Sequence, residues 1–148
     1  MFAAVVLGGL IGLERELGHK PVGLRTNILI CLGAAIFTIV SVQMGRTMEG
    51  SSVRIAAQIV GGVGFLGAGA IIRDRGTVQG ATTAATIWLV ASLGMACGAG
   101  FFVLATVGTL LTLFVLFALH PLEERLDRRI RGEKNDERKP GAPGDALD

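Results

Sequence analysis

Long apolar runs separated by short charged clusters are the feature that most constrains how this chain can fold. Five such runs follow one another in the 148-residue sequence: Phe2–Leu13, Thr26–Met44, Ile55–Ile72, Ala81–Cys97 and Phe101–Leu119. A helix needs ~20 apolar residues to cross the hydrocarbon core of a bilayer, and most of the runs approach that length. A soluble domain would need charged surface on all sides, yet 51% of this chain is hydrophobic. We therefore predict an all-α polytopic membrane protein, a Gly-rich bundle of five transmembrane helices over residues 1–119.

The first apolar run is short for a membrane span. It reaches only from Phe2 to Leu13 before the charges of Glu14, Arg15 and Glu16. At 1.5 Å per residue it extends about 18 Å, against the ~30 Å of the hydrocarbon core. Either the natural start lies upstream of Met1, or the bilayer is thinned around these charges.

The C-terminal residues carry many charges. In residues 120–132, Leu122, Leu126 and Ile130 recur every four positions. This spacing is typical of an amphipathic helix on the inner leaflet, or of a solvated continuation of the fifth span. Residues 133–148 are too polar to build a core, so we predict a disordered tail.

The basic residues are distributed unequally between the two ends of the spans. Of the 14 Lys and Arg residues, all but Arg46 and Arg54 fall in the connections and tail that share one side. Short cytoplasmic connections are enriched in Lys and Arg. The N-terminus is therefore predicted outside and the C-terminus in the cytoplasm.

Glycines recur at helical spacing, most densely in "GGVGFLGAG" (Gly61–Gly69). Part of this stretch matches a dinucleotide fingerprint, but no strand is predicted before it, as that motif requires. Two interpretations remain open: small residues allow helices or copies of the chain to pack closely, or they break the helix beside a cavity. The glycines assigned to packing are Gly8, Gly12, Gly61, Gly62, Gly64, Gly67, Gly69, Gly94 and Gly98.

Polar side chains gather at the predicted inner ends of the first four spans. This inner polar cluster comprises Glu14, Arg15, Arg25, Thr26, Asn27, Arg73, Asp74, Thr82 and Thr83. An ionisable group near hydrocarbon is costly unless paired, so we expect Glu14 to pair with Arg25 or Arg73. Asn27 and Thr82 are expected to cap the second and fourth helices. The cluster is either a set of caps and anchoring charges, or an ion site or docking surface.

Other classes of site are not indicated by the sequence. Arg54 and Gln58 lie one turn apart on the outer side, where snorkelling explains the arginine. Cys31 and Cys97 are expected to be free thiols about 20 Å apart along the membrane normal. The basic residues have no interleaved aromatics, which argues against nucleic-acid binding, and no catalytic motif is visible, which argues against an enzyme.

Four motifs together resemble one known family. They are "GGLIGLERE" (Gly8–Glu16), "GLRTN" (Gly23–Asn27), "RIAAQIVGGVGFLGAGAI" (Arg54–Ile71) and "GATTAATIW" (Gly80–Trp88). In this order they are similar to the N-terminal membrane domain of the MgtC/SapB family. The resemblance implies a bacterial inner-membrane protein associated with growth under magnesium limitation, with stress and virulence, and with modulation of other membrane machines. The family's functional positions would fall on Glu14, Arg25, Asn27 and the threonines of "TTAAT".

The resemblance and the residues together lead to one predicted function and one alternative. We predict a non-enzymatic, homo-oligomeric regulator linked to Mg²⁺ homeostasis that binds other inner-membrane proteins within the lipid bilayer. The alternative is an ion or small-solute transporter or channel that uses the inner polar cluster and a broken third helix. Mg²⁺ is a candidate ligand, and no other cofactor is predicted. Many family members carry a folded cytoplasmic domain after the last span, so the sensing role of that domain is not carried over to this charged tail.

Overall fold

The fold is built from helices, with one short hairpin between the third and the fourth. The computed structural model describes residues 1–47, 52–74 and 77–118. The elements are α1 (Phe2–Leu17), α2 (Leu24–Thr47), α3 (Ser52–Gly69), β1 (Ile72–Asp74), β2 (Thr77–Gln79), α4 (Ala81–Gly98) and α5 (Phe102–Ala118). The predicted helical class is confirmed. Glu14–Glu16 do not follow the first helix but form part of its last turn, because a helix at the membrane surface can continue beyond its apolar run.

Helices α1 and α2 pack closely because glycine occupies one face of α1. A Cβ placed on Gly8 would lie 2.7 Å from Cβ of Cys31, and one on Gly12 would lie 2.8 Å from Cα of Leu24. Side chains four residues apart share a helix face, so the two glycines form one continuous contact. At Gly8 and Gly12 the absence of a side chain thus lets α1 and α2 approach closely.

Helix α4 packs on another side of α2, and glycines again allow the close approach. A Cβ on Gly94 would overlap the carbonyl oxygen of Cys31, and one on Gly98 would lie 2.7 Å from Cβ of Thr38. Both contacts advance by about one turn, so α2 and α4 run in the same direction. Gly94 is further from the start of α4 than Cys31 is from the start of α2, by about six residues. Helix α4 therefore begins roughly 9 Å before α2 along their common direction.

This stagger corrects the expected distance between the two cysteines. Cys97 follows Gly94 by less than one turn, so it lies only about 5 Å further along the bundle than Cys31. The expected separation of about 20 Å is wrong, because it assumed that α2 and α4 begin at one level. Both cysteines are nevertheless free and buried, as predicted.

Helix α3 lies at the edge of the bundle. Ile59 and Val63 pack with Ala34, Ile87 and Ala91 in one apolar core cluster. The helix is continuous from Ser52 to Gly69, so the alternative of a broken third helix is wrong. Its glycines differ in environment. A Cβ on Gly67 would lie 3.6 Å from the carbonyl oxygen of Ala84, whereas a Cβ on each of the others would meet nothing within 4 Å: Gly61, Gly62, Gly64 and Gly69. Packing of those four within the chain is not seen, and packing against a second copy stays a prediction.

The connection between α3 and α4 is a small antiparallel hairpin, which the apolar runs did not predict. Ile72 pairs with Gln79, Arg73 with Val78 and Asp74 with Thr77. The chain then enters α4 through Gly80, whose φ is +87°. A Cβ on Gly80 would overlap the carbonyl oxygen of Ala70, so glycine is required both for the conformation and for the space.

Much of the helix surface is apolar and exposed. Phe2 and Phe65 are each 82% exposed, and Leu104 is 64% exposed. Apolar surface on this scale is typical of contact with lipid or with another protein. Within the described ranges, two helices are long and apolar enough to cross a membrane, Leu24–Arg46 and Ala81–Gly98, and two shorter apolar helices are Ala57–Gly69 and Phe102–Ala118. Five transmembrane spans stay a prediction.

The chain divides into two units, Met1–Leu113 and Phe114–Asp148. In the first unit, α5 buries Ala105 and Thr109. Of the second unit, the structure describes residues 114–118, which are helical. The predicted amphipathic helix at 120–132 and the predicted disordered tail at 133–148 lie outside the described residues.

Candidate functional site

A buried arginine joins the first helix to the fourth. Arg15 shares the face of α1 that carries Gly8 and Ile11, because the three follow the helical period, and it is only 4% exposed. Its Nη2 donates a hydrogen bond to Oγ1 of Thr83, at 3.1 Å, and Thr83 is also buried. The Nε group of Arg15 has no partner among the described residues. The guanidinium is thus held in place but only partly satisfied.

Asn27 holds the connection between α1 and α2. Its side chain is fully buried, and Nδ2 donates to the carbonyl oxygens of Val22, at 2.7 Å, and Gly23, at 2.9 Å. Val22 and His19 have φ values of +62° and +51°, a region that non-glycine residues enter only at a cost of ~1 kcal/mol or more. The two hydrogen bonds of Asn27 stabilise this conformation. Its Oδ1, also buried, has no partner in the described part of the chain.

Glu16 caps the second helix. Its Oε2 accepts a hydrogen bond from the backbone N–H of Leu24, at 3.1 Å. A carboxylate at a helix N-terminus is favoured by the free N–H groups and by the helix dipole. Gly23 makes room for it, since a Cβ there would overlap Oε2 of Glu16. The sequence predicted that Asn27 caps α2. This prediction is wrong, because the helix already begins at Leu24.

Glu14 does not form the expected ion pair with Arg25. Arg25 is exposed, whereas Oε2 of Glu14 is buried and has no hydrogen-bonding partner among residues 1–47, 52–74 and 77–118. The backbones of Arg73 and Asp74 lie in β1, but their side chains lie outside the described residues, as does that of Arg54. A pairing of Glu14 with Arg73 stays a prediction.

The inner polar cluster is therefore divided by the structure. Arg15 and Thr83 are in contact between α1 and α4. Asn27 lies instead between α1 and α2, against Gly12. Thr26 and Thr82 are exposed. Helix α4 begins after Gly80 with no side-chain cap, so the expected cap by Thr82 is wrong.

An open groove runs between α2 and α3. Its volume is about 490 Å³. The lining residues are Thr26, Leu29, Ile30, Gly33, Ala34, Phe37, Ile55, Gln58, Ile59, Gly62, Val63 and Leu66. Thr26 and Gln58 are the two polar members, and apolar residues lie between them. In this structure Gln58 belongs to the groove wall.

The described residues bring together no group of three or more His, Cys, Asp and Glu side chains that could hold a metal ion. Whether the chain binds Mg²⁺ stays a prediction. Comparison with known proteins places the chain more firmly, since the family model described as "MgtC family" matches residues 1–125. The chain belongs to the MgtC family. The match covers every helix and strand described above, including Arg15, Asn27 and Thr83.

Relatives of known name support the family assignment. Protein MgtC of Brucella abortus is 46% identical over 124 residues, which cover 84% of this chain and 51% of the relative. Protein MgtC of Salmonella typhimurium is 48% identical over 111 residues, 75% of this chain and 47% of the relative. An uncharacterized protein of Synechocystis is 46% identical over 119 residues, 80% of this chain and 50% of the relative. The chain thus spans about half the length of the curated relatives it matches.

No solved structure matches the chain significantly. The predicted resemblance to the MgtC family is confirmed. Family membership and the two apolar helices indicate a membrane protein. Its orientation and the particular membrane stay predictions.

Two features of this MgtC-family chain were missed by the sequence analysis. The first is the cap of α2 by Glu16. The position of Glu16, eight residues before Leu24 and across a turn with Pro21 and Gly23, could have indicated it. The second is the pair Gly23 and Gly80, each directly before a helix start. Glycine is itself favourable at the N-cap, so a glycine directly before an apolar run is a signal for the start of a helix.

Proposed function

We propose that this MgtC-family chain is a non-enzymatic membrane regulator that binds a transmembrane helix of another membrane protein in the groove between α2 and α3. The observation that carries the proposal is the lining of this groove. It is open, about 490 Å³ in volume, and apolar between Thr26 and Gln58. Such a surface offers no path to an ion, but it complements an apolar helix.

The dimensions of the groove fit a helical occupant. From Thr26 to Phe37 the wall formed by α2 extends about 17 Å at 1.5 Å per residue, or about three helical turns. Gly33 and Ala34 of α2 and Gly62 of α3 line the groove, and small residues allow a neighbouring backbone to approach. Within a bilayer, any spanning occupant must satisfy its own backbone hydrogen bonds, and a helix does so.

The alternative is an ion or small-solute transporter. Buried oxygens of Glu14 and Asn27 that have no partner among the described residues favour it, since such oxygens are suited to a cation or a polar solute. Against it, Asn27 lies in the contact between α1 and α2, not in the groove, and α3 is unbroken. We therefore place transport second.

The physiological role that we propose is magnesium homeostasis, including growth at low Mg²⁺. It rests on membership of the MgtC family. Because the chain spans about half of its curated relatives, this role is proposed for the whole protein and not assigned to any residue.

Glycine substitutions test the groove with matched controls. Gly33 and Gly62 line the groove, Gly61 and Gly64 do not, and a Cβ on any of the four meets nothing within 4 Å. Gly33→Leu and Gly62→Leu should fill the groove and abolish rescue of a deletion strain on low-Mg²⁺ medium. Gly61→Leu and Gly64→Leu should rescue growth as the wild type does. Equal rescue by all four variants would refute the groove as the functional surface.

Two further measurements separate the other occupants and functions. Purified wild-type chain in proteoliposomes should give no Mg²⁺ flux above that of empty vesicles, whereas flux that Gly62→Leu blocks would establish the transporter. Light scattering in detergent should give the same mass for wild type and Gly62→Leu. A fall in mass caused by Gly62→Leu would show that the groove is occupied by a second copy of the chain.

A further inference from the structure

The first turn of α4 has hydrogen-bond donors that find no partner in the described part of the chain. Its intrahelical bonds begin with the N–H of Ala84, which donates to the carbonyl oxygen of Gly80 at 2.9 Å. The N–H groups before it have no side-chain cap, and the first turn contains no acidic residue. Free N–H groups and the helix dipole make this end positive. Helix α2 differs, because Glu16 supplies a carboxylate at its N-terminus.

A buried cation lies at the same turn. Arg15 is 4% exposed and donates through Nη2 to Thr83, the third residue of α4. Its Nε is buried and unpartnered in the described part of the chain. The hydroxyl of Thr83 accepts a hydrogen bond but brings no negative charge. A buried guanidinium is unfavourable unless it is paired, and its hydrogen-bonding partner among the described side chains is the neutral Thr83, so this position is suited to an anion.

The described residues at this end of α4 leave its first turn accessible. A Cβ on residue 80 would overlap the carbonyl oxygen of Ala70, so no side chain can lie over the helix from the N-cap position. Ala81 and Thr82, the first two residues of α4, are exposed. Helix α4 is long and apolar enough to cross a membrane, and the first turn of a helix that does so lies near the lipid headgroups.

We propose that Arg15 and the first turn of α4 form a binding site for a phosphate group. Successive N–H groups at a helix start are suited to the oxygens of a phosphate, and a guanidinium adds charge-assisted hydrogen bonds. The phosphate is either that of a lipid headgroup or free inorganic phosphate. This site is separate from the groove between α2 and α3, and it does not depend on the function proposed for that groove.

The test is binding to the full chain in a neutral detergent. Inorganic phosphate and dioctanoyl phosphatidylglycerol are titrated separately, with dioctanoylglycerol as the lipid that lacks phosphate, and the thermal midpoint is followed. A ligand that binds the folded state raises the midpoint as its concentration rises. A rise with inorganic phosphate identifies the free anion, and a rise with the phospholipid alone identifies the headgroup.

Three variants assign the effect to this site. Arg15→Gln removes the charge and should weaken binding about 10- to 100-fold, as expected for loss of a hydrogen bond to a charged group. Ala81→Asp places a carboxylate in the first turn of α4; it should stabilise the helix and still abolish binding. Arg25→Gln, in the first turn of α2 that Glu16 already caps, should bind as the wild type does.

The proposal fails if neither phosphate source raises the midpoint of the wild type. It also fails if Ala81→Asp responds as strongly as the wild type. Should Arg15→Gln not fold, Ala81→Asp decides the question alone, because Ala81 is exposed and acidic residues are favourable in a first turn.

Discussion

Replacing Gly94 with alanine should destabilise the bundle. The new Cβ would overlap the backbone carbonyl oxygen of Cys31 and lie 3.0 Å from Cβ of Ala34. A backbone carbonyl cannot rotate away as a flexible side chain can, so α2 and α4 must move apart. Overpacking of this kind costs ~1–3 kcal/mol. Alanine gains ~1 kcal/mol over glycine in helix propensity, so the net loss of unfolding free energy should be at most about 2 kcal/mol.

The same substitution at Gly64 isolates the packing term. Nothing lies within 4 Å of a Cβ at Gly64, so only the gain in helix propensity remains. The propensity gain is common to both variants, so their unfolding free energies should differ by the packing cost of ~1–3 kcal/mol. Thermal unfolding followed by circular dichroism in detergent measures the order of stability. If Gly94→Ala unfolds at or above the temperature of Gly64→Ala, α2 and α4 do not approach as closely as the structure shows.

Three further predictions concern the ends of the helices and the orientation of the chain. Glu16→Ala should lose ~1 kcal/mol of unfolding free energy with its cap of α2, whereas Glu16→Gln, which keeps an acceptor, should lose less in the same unfolding assay; equal losses would show that the carbonyl-type oxygen is not the capping atom. Asn27→Leu should leave the carbonyl oxygen of Val22 without its side-chain donor, at a cost of ~1–3 kcal/mol, while that of Gly23 keeps the backbone N–H of residue 27. Hydrogen exchange of residues 18–24 should therefore accelerate more than that of α4; unchanged exchange there would contradict the role of Asn27 in holding the connection. A C-terminal alkaline phosphatase fusion should be inactive and a fluorescent protein fusion bright, because the basic residues predict a cytoplasmic C-terminus; the reverse pattern would overturn the orientation.

The apolar runs predicted the helices better than their ends. The fourth run was predicted to begin at Ala81, where α4 begins, and the second at Thr26, two residues after the start of α2. Hydrophobicity reports which residues can lie in lipid, but a helix can continue past them, as α1 does through Glu14–Glu16. The hairpin of β1 and β2 was missed because its strands have three residues each, too few for a periodic pattern.

The relative heights of the helices could not be predicted from the sequence. Placing the inner ends of all spans at one level predicted a single polar cluster. The contact of Gly94 with Cys31 instead shifts α4 relative to α2, so that Thr83 meets Arg15 while Asn27 faces α1. Such a shift of one helix along another depends on which glycine contacts which carbonyl group. That pairing cannot be predicted from a single sequence. The burial of Arg15, by contrast, follows from its spacing to Gly8 and Ile11, and could have been predicted.

The hydrogen bond from Arg15 to Thr83 also has a consequence for the biogenesis of the protein. Thr83 follows Arg15 by 68 residues in the chain. At ~5–20 residues per second, the ribosome needs roughly 3 to 14 s to synthesise that stretch. Throughout this interval the guanidinium lacks its only hydrogen-bonding side chain in the described structure, so α1 can form a hairpin with α2 but cannot settle fully. Helix α1 is therefore made before the residue that holds its arginine in place, and reaches its final position only after α4 has been made.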